Sequence, residues 1–219
     1  MTATFLIGAH GQIGQQLVPK LINKGITVHA GLRDLNQVTD FSESSLLLPE
    51  LFDLTVLPET MAEQFKAAKV DSIIFSAGSG GNTGDDATLI IDLDSAVKAM
   101  EAAQLAGIKR FILVSSAASN DRSAWDKTGI KPYMIAKYYA DKILTQSPLD
   151  YTILRPGALL NQPATGHIAR VTDKQTDLGQ LAISRQDVAE VIATIIDMPT
   201  TYRRAYTLGS GSQLIATAF

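Results

Sequence analysis

The 219-residue sequence has no cysteine and only three histidines, His10, His29 and His167. Without thiols there are no disulfides, no thiolate metal sites and no cysteine nucleophile, and three scattered imidazoles make no ligand pair at useful spacing. No resident metal is expected. No run approaches the roughly 18–20 apolar residues that span a bilayer, and Met1 to Gly8 leads into an apolar strand and a glycine-rich turn, unlike a signal sequence. Secretion and membrane insertion are therefore disfavoured and a cytoplasmic location is expected. Lys and Arg number 19 against 22 Asp and Glu, a net charge of −3 with no basic stripe. A nucleic-acid partner, which requires such a stripe, is disfavoured. What the chain has in quantity is apolar: 46% hydrophobic residues fill one sizeable core, and no linker, repeat or low-complexity segment divides residues 1–219.

Short β-like apolar runs alternate with longer helix-like ones, the pattern of an α/β protein with a mostly parallel, doubly wound sheet and helices on both faces. Thr4 to Ile7 reads as a buried strand, Gln12 to Asn23 as a helix, and Ile26 to Leu32 as the next strand. A short strand ends near Phe52, a helix covers Pro58 to Ala68, and Asp71 to Ser76 is a strand. Ala87 to Ala106 reads as a long helix with Ile90, Val97, Met100 and Leu105 near one face, followed by a strand at Lys109 to Ser115. Tyr133 to Thr145 is helical, and Asp150 to Leu154 is a strand that Arg155-Pro156-Gly157 ends, because proline cannot extend a central strand. A helix at Arg185 to Ile196 and a last strand at Ala205 to Leu208 complete a Rossmann-like core with a small C-terminal extension.

GAHGQIG sets Gly8, Gly11 and Gly14 directly after the first strand and at the start of the first helix, with His10 inside the loop. The first glycine permits the tight turn, and the second lets the backbone approach a pyrophosphate. The third lets the helix pack on the strand, and the N–H groups of Gln12 and Ile13 face the anion. The loop predicts a dinucleotide. At the end of the second strand, Arg33 can pair with the 2′-phosphate of NADP, so NADPH is expected over NADH; an inward-pointing Asp34 would reverse that.

Tyr133 and Lys137 form a Y-x-x-x-K pair one helical turn apart on a common face. An ammonium beside a phenol favours the phenolate, so Tyr133 can exchange a proton with a carbonyl or hydroxyl. Tyr138 and Tyr139 stand close enough in sequence to compete for that role. Pro156, Gly157 and the segment from Ala158 to Gly166 are expected to wall the nicotinamide and substrate.

The order GAHGQIG, Arg33, Asp53, SAG, VSSAAS, YMIAK, YTILRPGAL, SRQDVAEVI resembles the short-chain dehydrogenase/reductase superfamily over nearly the whole chain. The likeness is to its small atypical members, similar to biliverdin or flavin reductase B and to nitrogen-metabolite-repressor-like redox sensors. The resemblance implies that Asp53-Leu54 contacts the adenine, that Ser76-Ala77-Gly78 lies beside the ribose and pyrophosphate, and that Lys137 and Pro156 also border the cofactor. It implies that Ser116, or next Ser115, hydrogen-bonds the substrate oxygen. The expected activity is NADPH-dependent reduction of a small carbonyl, quinone or flavin-like acceptor by a monomer or homodimer. A non-catalytic NADP(H) sensor is the alternative. A sugar-nucleotide epimerase is disfavoured, since little chain follows Pro156 to build a substrate lobe.

Overall fold

The protein is described by a computed structural model over residues 2–81, 83–171 and 181–219. β1 (Ala3–Ile7), α1 (Gln12–Asn23) and β2 (Thr27–Leu32) form the first βαβ unit, and β3 (Leu47–Leu51) follows. α2 (Pro58–Ala68) leads to β4 (Ser72–Phe75). A continuous helical stretch of α3 (Asp85–Ala87), a π-helical segment (Thr88–Asp94) and α4 (Ser95–Leu105) leads to β5 (Arg110–Val114). α5 (Lys131–Gln146) crosses to β6 (Asp150–Pro156), and β7 (Ala158–Leu160), β8 (His167–Val171), β9 (Ala182–Ser184), α6 (Arg185–Ile195) and β10 (Arg204–Leu214) complete the described chain.

The main sheet has the order β3-β2-β1-β4-β5-β6-β10-β8, parallel throughout except for the antiparallel β10–β8 pair, and β7 pairs with β9 in a separate two-stranded sheet. The central strands are buried on both faces, which is why they read as continuous apolar runs. Alternate residues divide between two cores. Leu6, Ile74, Ile112 and Leu154 face α1 and α6. Phe5, Ile7, Phe75, Phe111 and Ile153 face α2, α4 and α5, where the rings of Phe5, Phe52 and Phe65 meet at centroid distances of 4.9 to 5.8 Å.

Three expectations need correction. The strand expected to stop at Leu154 runs on to Pro156, its last residue, which pairs in register with Leu208 and whose carbonyl accepts the N–H of Ala117 from the loop after β5. The proline tolerates this because β5 has already ended, so its missing N–H breaks no ladder bond to that neighbour. The long helix does not bury Ile90 or Leu105, which are 46% and 51% exposed; Ala96, Ala99, Met100, Ala102 and Ala103 form its inner face. The π-helical turn offsets the spacing on which a single 3.6-residue period relies, and small alanines let α4 approach the sheet closely. The last strand also continues past Leu208 to Leu214, bent by an irregularity between Gly209 and Gln213 where it pairs with β8.

Buried Arg110 ties the N-terminal edge of the sheet to the end of α6. Its Nε donates to Ile196 O (2.9 Å) and its Nη2 to Ile195 O (2.8 Å), while Nη1 donates to Asp150 O (2.9 Å) and Thr152 Oγ1 (2.7 Å). These are carbonyls that a helix end leaves without internal partners, and a cation there also offsets the helix dipole. Burial pushes the guanidinium down to about 10, so it stays charged at neutral pH. Arg110→Met should cost about 3 kcal/mol or more, because the acceptors stay buried after their donor is lost. For a chain of this length that lowers Tm by roughly 6–12 °C, measurable by circular dichroism; a change within a degree would refute the tie.

Candidate active site

The strand order reverses at β1, which has β2 on one side and β4 on the other, so the chain leaves a crevice beyond the carboxyl ends of β1 and β4. The crevice opens into a cavity of about 610 Å³ whose wall includes Gly11, Gln12 and Ile13, the Ser76–Gly81 turn, Asp92, Val114, Ser115, Tyr133, Lys137, Leu159 and Arg185.

The glycine loop is shaped by backbone contact. Gly8 has φ +85°, and a Cβ there would lie 2.7 Å from Ala77 N; at Gly14 it would lie 2.4 Å from the carbonyl oxygens of Gly8 and Ala9. The loop is therefore pressed against both the β4 turn and the start of α1. α1 begins at Gly11 with no side-chain cap and no acidic residue in its first turn. Its first N–H groups are thus open to an anion from the cavity, which a dinucleotide diphosphate fits. Ser76 closes the other side: its N–H donates to Ile7 O at 2.9 Å and its hydroxyl to the same oxygen at 3.2 Å.

At the ends of β2 and β3, Arg33 is exposed and makes no hydrogen bond or ion pair with any described residue. Asp34 is committed elsewhere, its Oδ1 accepting the N–H of Asn36 (2.9 Å) to cap a 3₁₀ turn. Asp53 stands on the neighbouring strand end, and its Oδ1 accepts the N–H (2.7 Å) and hydroxyl (2.8 Å) of Thr55. Those two donors hold its carboxyl below the ordinary aspartate range. His10 is half-buried and bonds Asp40. Arg33, Asp53, Leu54, His10, Gly8, Gly14 and Pro156 border the crevice region or support it, but none of them lines the cavity itself.

The Y-x-x-x-K pair does line it. Lys137 is 2% exposed and donates from Nζ to Val114 O at 2.9 Å; the same Nζ lies 5.7 Å from the centre of the Tyr133 ring. Tyr138 and Tyr139 are drawn outwards instead, to Arg122, which sits 4.6 Å over the Tyr138 ring and donates to the Tyr139 hydroxyl at 3.4 Å. The two serines divide similarly. Ser115 is in the cavity wall, whereas the Ser116 hydroxyl donates to Ala117 O at 3.3 Å and is not. Ser115 Oγ is 3.5 Å from Ser119 Oγ, which donates to Asp141 Oδ2 (3.1 Å), itself bonded by Arg155 Nε (2.8 Å).

Among the wall residues that escaped sequence reasoning, two carry charge into the cavity's chemistry. Asp92, 1% exposed, accepts the Ser79 N–H on Oδ2 (3.0 Å), while Oδ1 has no hydrogen bond and lies 3.6 Å from Lys137 Nζ. An acidic residue inside the apolar TLIIDLD segment was the available signal. Arg185, the first residue of α6, carried none beyond its position in SRQDVAEVI.

This fold and site define a class: an NAD(P)H-binding Rossmann protein of the atypical short-chain dehydrogenase/reductase kind. The chain belongs to the NAD(P)H-binding family whose model matches residues 8–199. It is 45% identical over 98% of its length to the uncharacterized sugar epimerase YhfK of Bacillus subtilis, covering 97% of that protein. Among solved structures it resembles the oxidoreductase ylbE from Lactococcus lactis, with 32% identity, TM-score 0.87 and coverage of 99% and 94% of the two chains. It also resembles the anaerobillin reductase ChuY from Escherichia coli O157:H7, with 25% identity, TM-score 0.74 and coverage of 96% and 98%. Among the described residues no helix is long and apolar enough to cross a membrane, and no cluster of ligating side chains could hold a metal.

The glycines separate binding from folding. At Gly11 an added Cβ meets only Gly8 O, at 3.1 Å, and otherwise projects where a diphosphate would approach. Gly11→Ala should keep Tm within a few degrees of wild type and weaken NAD(P)H binding by roughly tenfold or more. Gly14→Ala should lower Tm as well, since its Cβ strikes backbone. Fluorescence titration of the dinucleotide alongside thermal melts reads both; undiminished binding by Gly11→Ala would contradict the loop's role.

Proposed function

We propose that this protein is an NADPH-dependent reductase acting on a small carbonyl, quinone or flavin-like acceptor. The observation that carries the reading is that Tyr133 and Lys137 share one cavity wall with the dinucleotide loop. Bound NADPH supplies the hydride. Tyr133 delivers its phenolic proton to the acceptor oxygen as the adjoining carbon is reduced, Lys137 favours the resulting phenolate, and Ser115 donates a hydrogen bond to the same oxygen. Ser115 takes the role expected of Ser116, because Ser115 is the serine of the pair that lines the cavity. Asp92 holds the Lys137 ammonium against Val114 O. Acceptors reduced by direct hydride transfer need only to stack in the cavity.

The preference for NADPH rests on Arg33, which bonds no described residue, and on Asp34, whose Oδ1 caps its own turn and so is turned to its own backbone and not to a ribose 2′-hydroxyl. The oxidoreductase and reductase names of two structural relatives support the reaction class. The Bacillus subtilis relative's name supports an epimerase reading, in which the same tyrosine and lysine would act with no net consumption of dinucleotide.

Two variants test the assignment. Arg33→Ala should weaken NADPH binding by roughly 10- to 100-fold, the value of one or two charge-assisted hydrogen bonds, and leave NADH binding nearly unchanged; equal losses would remove the 2′-phosphate role. Tyr133→Phe should lower kcat on carbonyl acceptors by roughly 10²–10⁴ at unchanged NADPH affinity. If the wild-type protein binds NADPH tightly yet oxidises none across carbonyls, quinones and flavins, the sensor reading replaces the reductase. Turnover of a sugar nucleotide without net oxidation would establish the epimerase instead.

A further inference from the structure

Among the described residues, four charged side chains border the cavity: Asp85, Asp92, Lys137 and Arg185. Asp85 is exposed at the rim, and Asp92 and Lys137 offset one another at 3.6 Å. Among the described residues that line the cavity, Arg185 is the cation without a carboxylate partner. Its Nη1 donates to Leu159 O (2.9 Å) and Asn161 Oδ1 (2.8 Å), which fixes the guanidinium plane. Its Nε and Nη2 bond no described residue, and no described carboxylate lies within ion-pair distance of it.

The position of that guanidinium follows from helix packing. α1 and α6 lie side by side and run in the same direction, because Lys20 pairs with Glu190 and Lys24 Nζ donates to Ala193 O. Moving five residues towards the N-terminus from Lys20 reaches Gln15, and the same step from Glu190 reaches Arg185. Helical side chains lean towards the N-terminus, so Arg185 reaches the level of the first turn of α1, where Gln12 and Ile13 form the cavity wall. The N-terminus of α6 offers no competing anion site, since Ser184 Oγ accepts the N–H groups of Gln186 (3.1 Å) and Asp187 (3.2 Å).

We infer that Arg185 binds the diphosphate of the dinucleotide from its place beside the first turn of α1. Nε and Nη2 form a planar fork that matches two phosphate oxygens, and Nη1 keeps its bonds to Leu159 and Asn161. The diphosphate then lies between the N–H groups of α1 and a guanidinium supplied from the far end of the chain. Through the same side chain, cofactor binding is coupled to the segment that follows β7. The inference rests on membership of the NAD(P)H-binding family and is independent of the role given to Tyr133.

The test is fluorescence titration of Arg185→Gln with NADPH and NADH, with Tm measured in parallel. Both dinucleotides carry the diphosphate, so both should bind roughly tenfold or more weakly and by the same factor, unlike the NADPH-specific loss expected for Arg33→Ala. Arg185→Lys, which keeps the charge but not the fork, should fall between wild type and Arg185→Gln. The acceptor KM at saturating NADPH should not change. Unchanged dinucleotide affinity overturns the assignment, as does a loss confined to NADPH. A raised acceptor KM at unchanged dinucleotide affinity also overturns it, because the guanidinium would then be reading the acceptor. If Arg185→Gln does not fold, Arg185→Lys must by itself weaken both dinucleotides equally, or the inference fails. Failure of wild type to bind either dinucleotide would instead refute the binding reading itself.

Discussion

The reversal of strand order at β1 is the constraint on which the site depends. The chain builds β2 and β3 to one side, then returns to place β4 on the other, so no crossover covers the carboxyl ends of β1 and β4. The crevice is kept narrow by backbone on backbone: Gly8 sits so near Ala77 that no side chain fits between them. Every group assigned to the dinucleotide or the acceptor hangs from an element that ends at this crevice. The eight-stranded sheet fixes their mutual distances, and the loops supply their chemistry.

Within the cavity, charge is distributed economically. Lys137 and Asp92 are each almost wholly buried, and each would be costly alone; removing one partner of such a pair typically costs about 3–5 kcal/mol. Together they present a nearly neutral wall beneath Tyr133. Two of the helix N-termini that reach the cavity, those of the neighbouring α1 and α6, differ in their capping. α6 is closed by Ser184, whereas α1 is left uncapped. Between these two neighbours, anion attraction therefore falls to α1, where the glycine loop lets the backbone come close to a ligand.

Much of this was legible in the sequence because it depends on local rules. Glycines at close approaches, Pro58 opening a helix, and tyrosine and lysine one turn apart all declare themselves without knowledge of the fold, and the α1 and α2 boundaries agree with the expected ones. What was not legible depends on which elements become neighbours. Arg185 looked like any helix-opening arginine until α6 was seen beside α1. Ser115 and Ser116 are indistinguishable in VSSAAS, because the choice turns on how the chain leaves β5. The strand end was placed two residues early, at Leu154, since a proline's missing N–H matters only if the adjacent strand is still present. β7 and β9, three residues each, are too short to carry a period.

The π-helical segment before α4 has a consequence for how such a protein can vary. Thr88 and Asp92 are both buried in it, and at this register Asp92 meets Lys137. A helix turns about 100° per residue, so loss of one residue between Thr88 and Asp94 would restore a regular helix and swing whatever lies before it round the axis, while α4 and its alanine face stayed in place. Chains differing by a single residue here could share the fold and the dinucleotide loop and still expose different side chains to the nicotinamide end of the cavity. A one-residue change in the length of this turn would therefore alter the cavity's chemistry while leaving the shape of the fold intact.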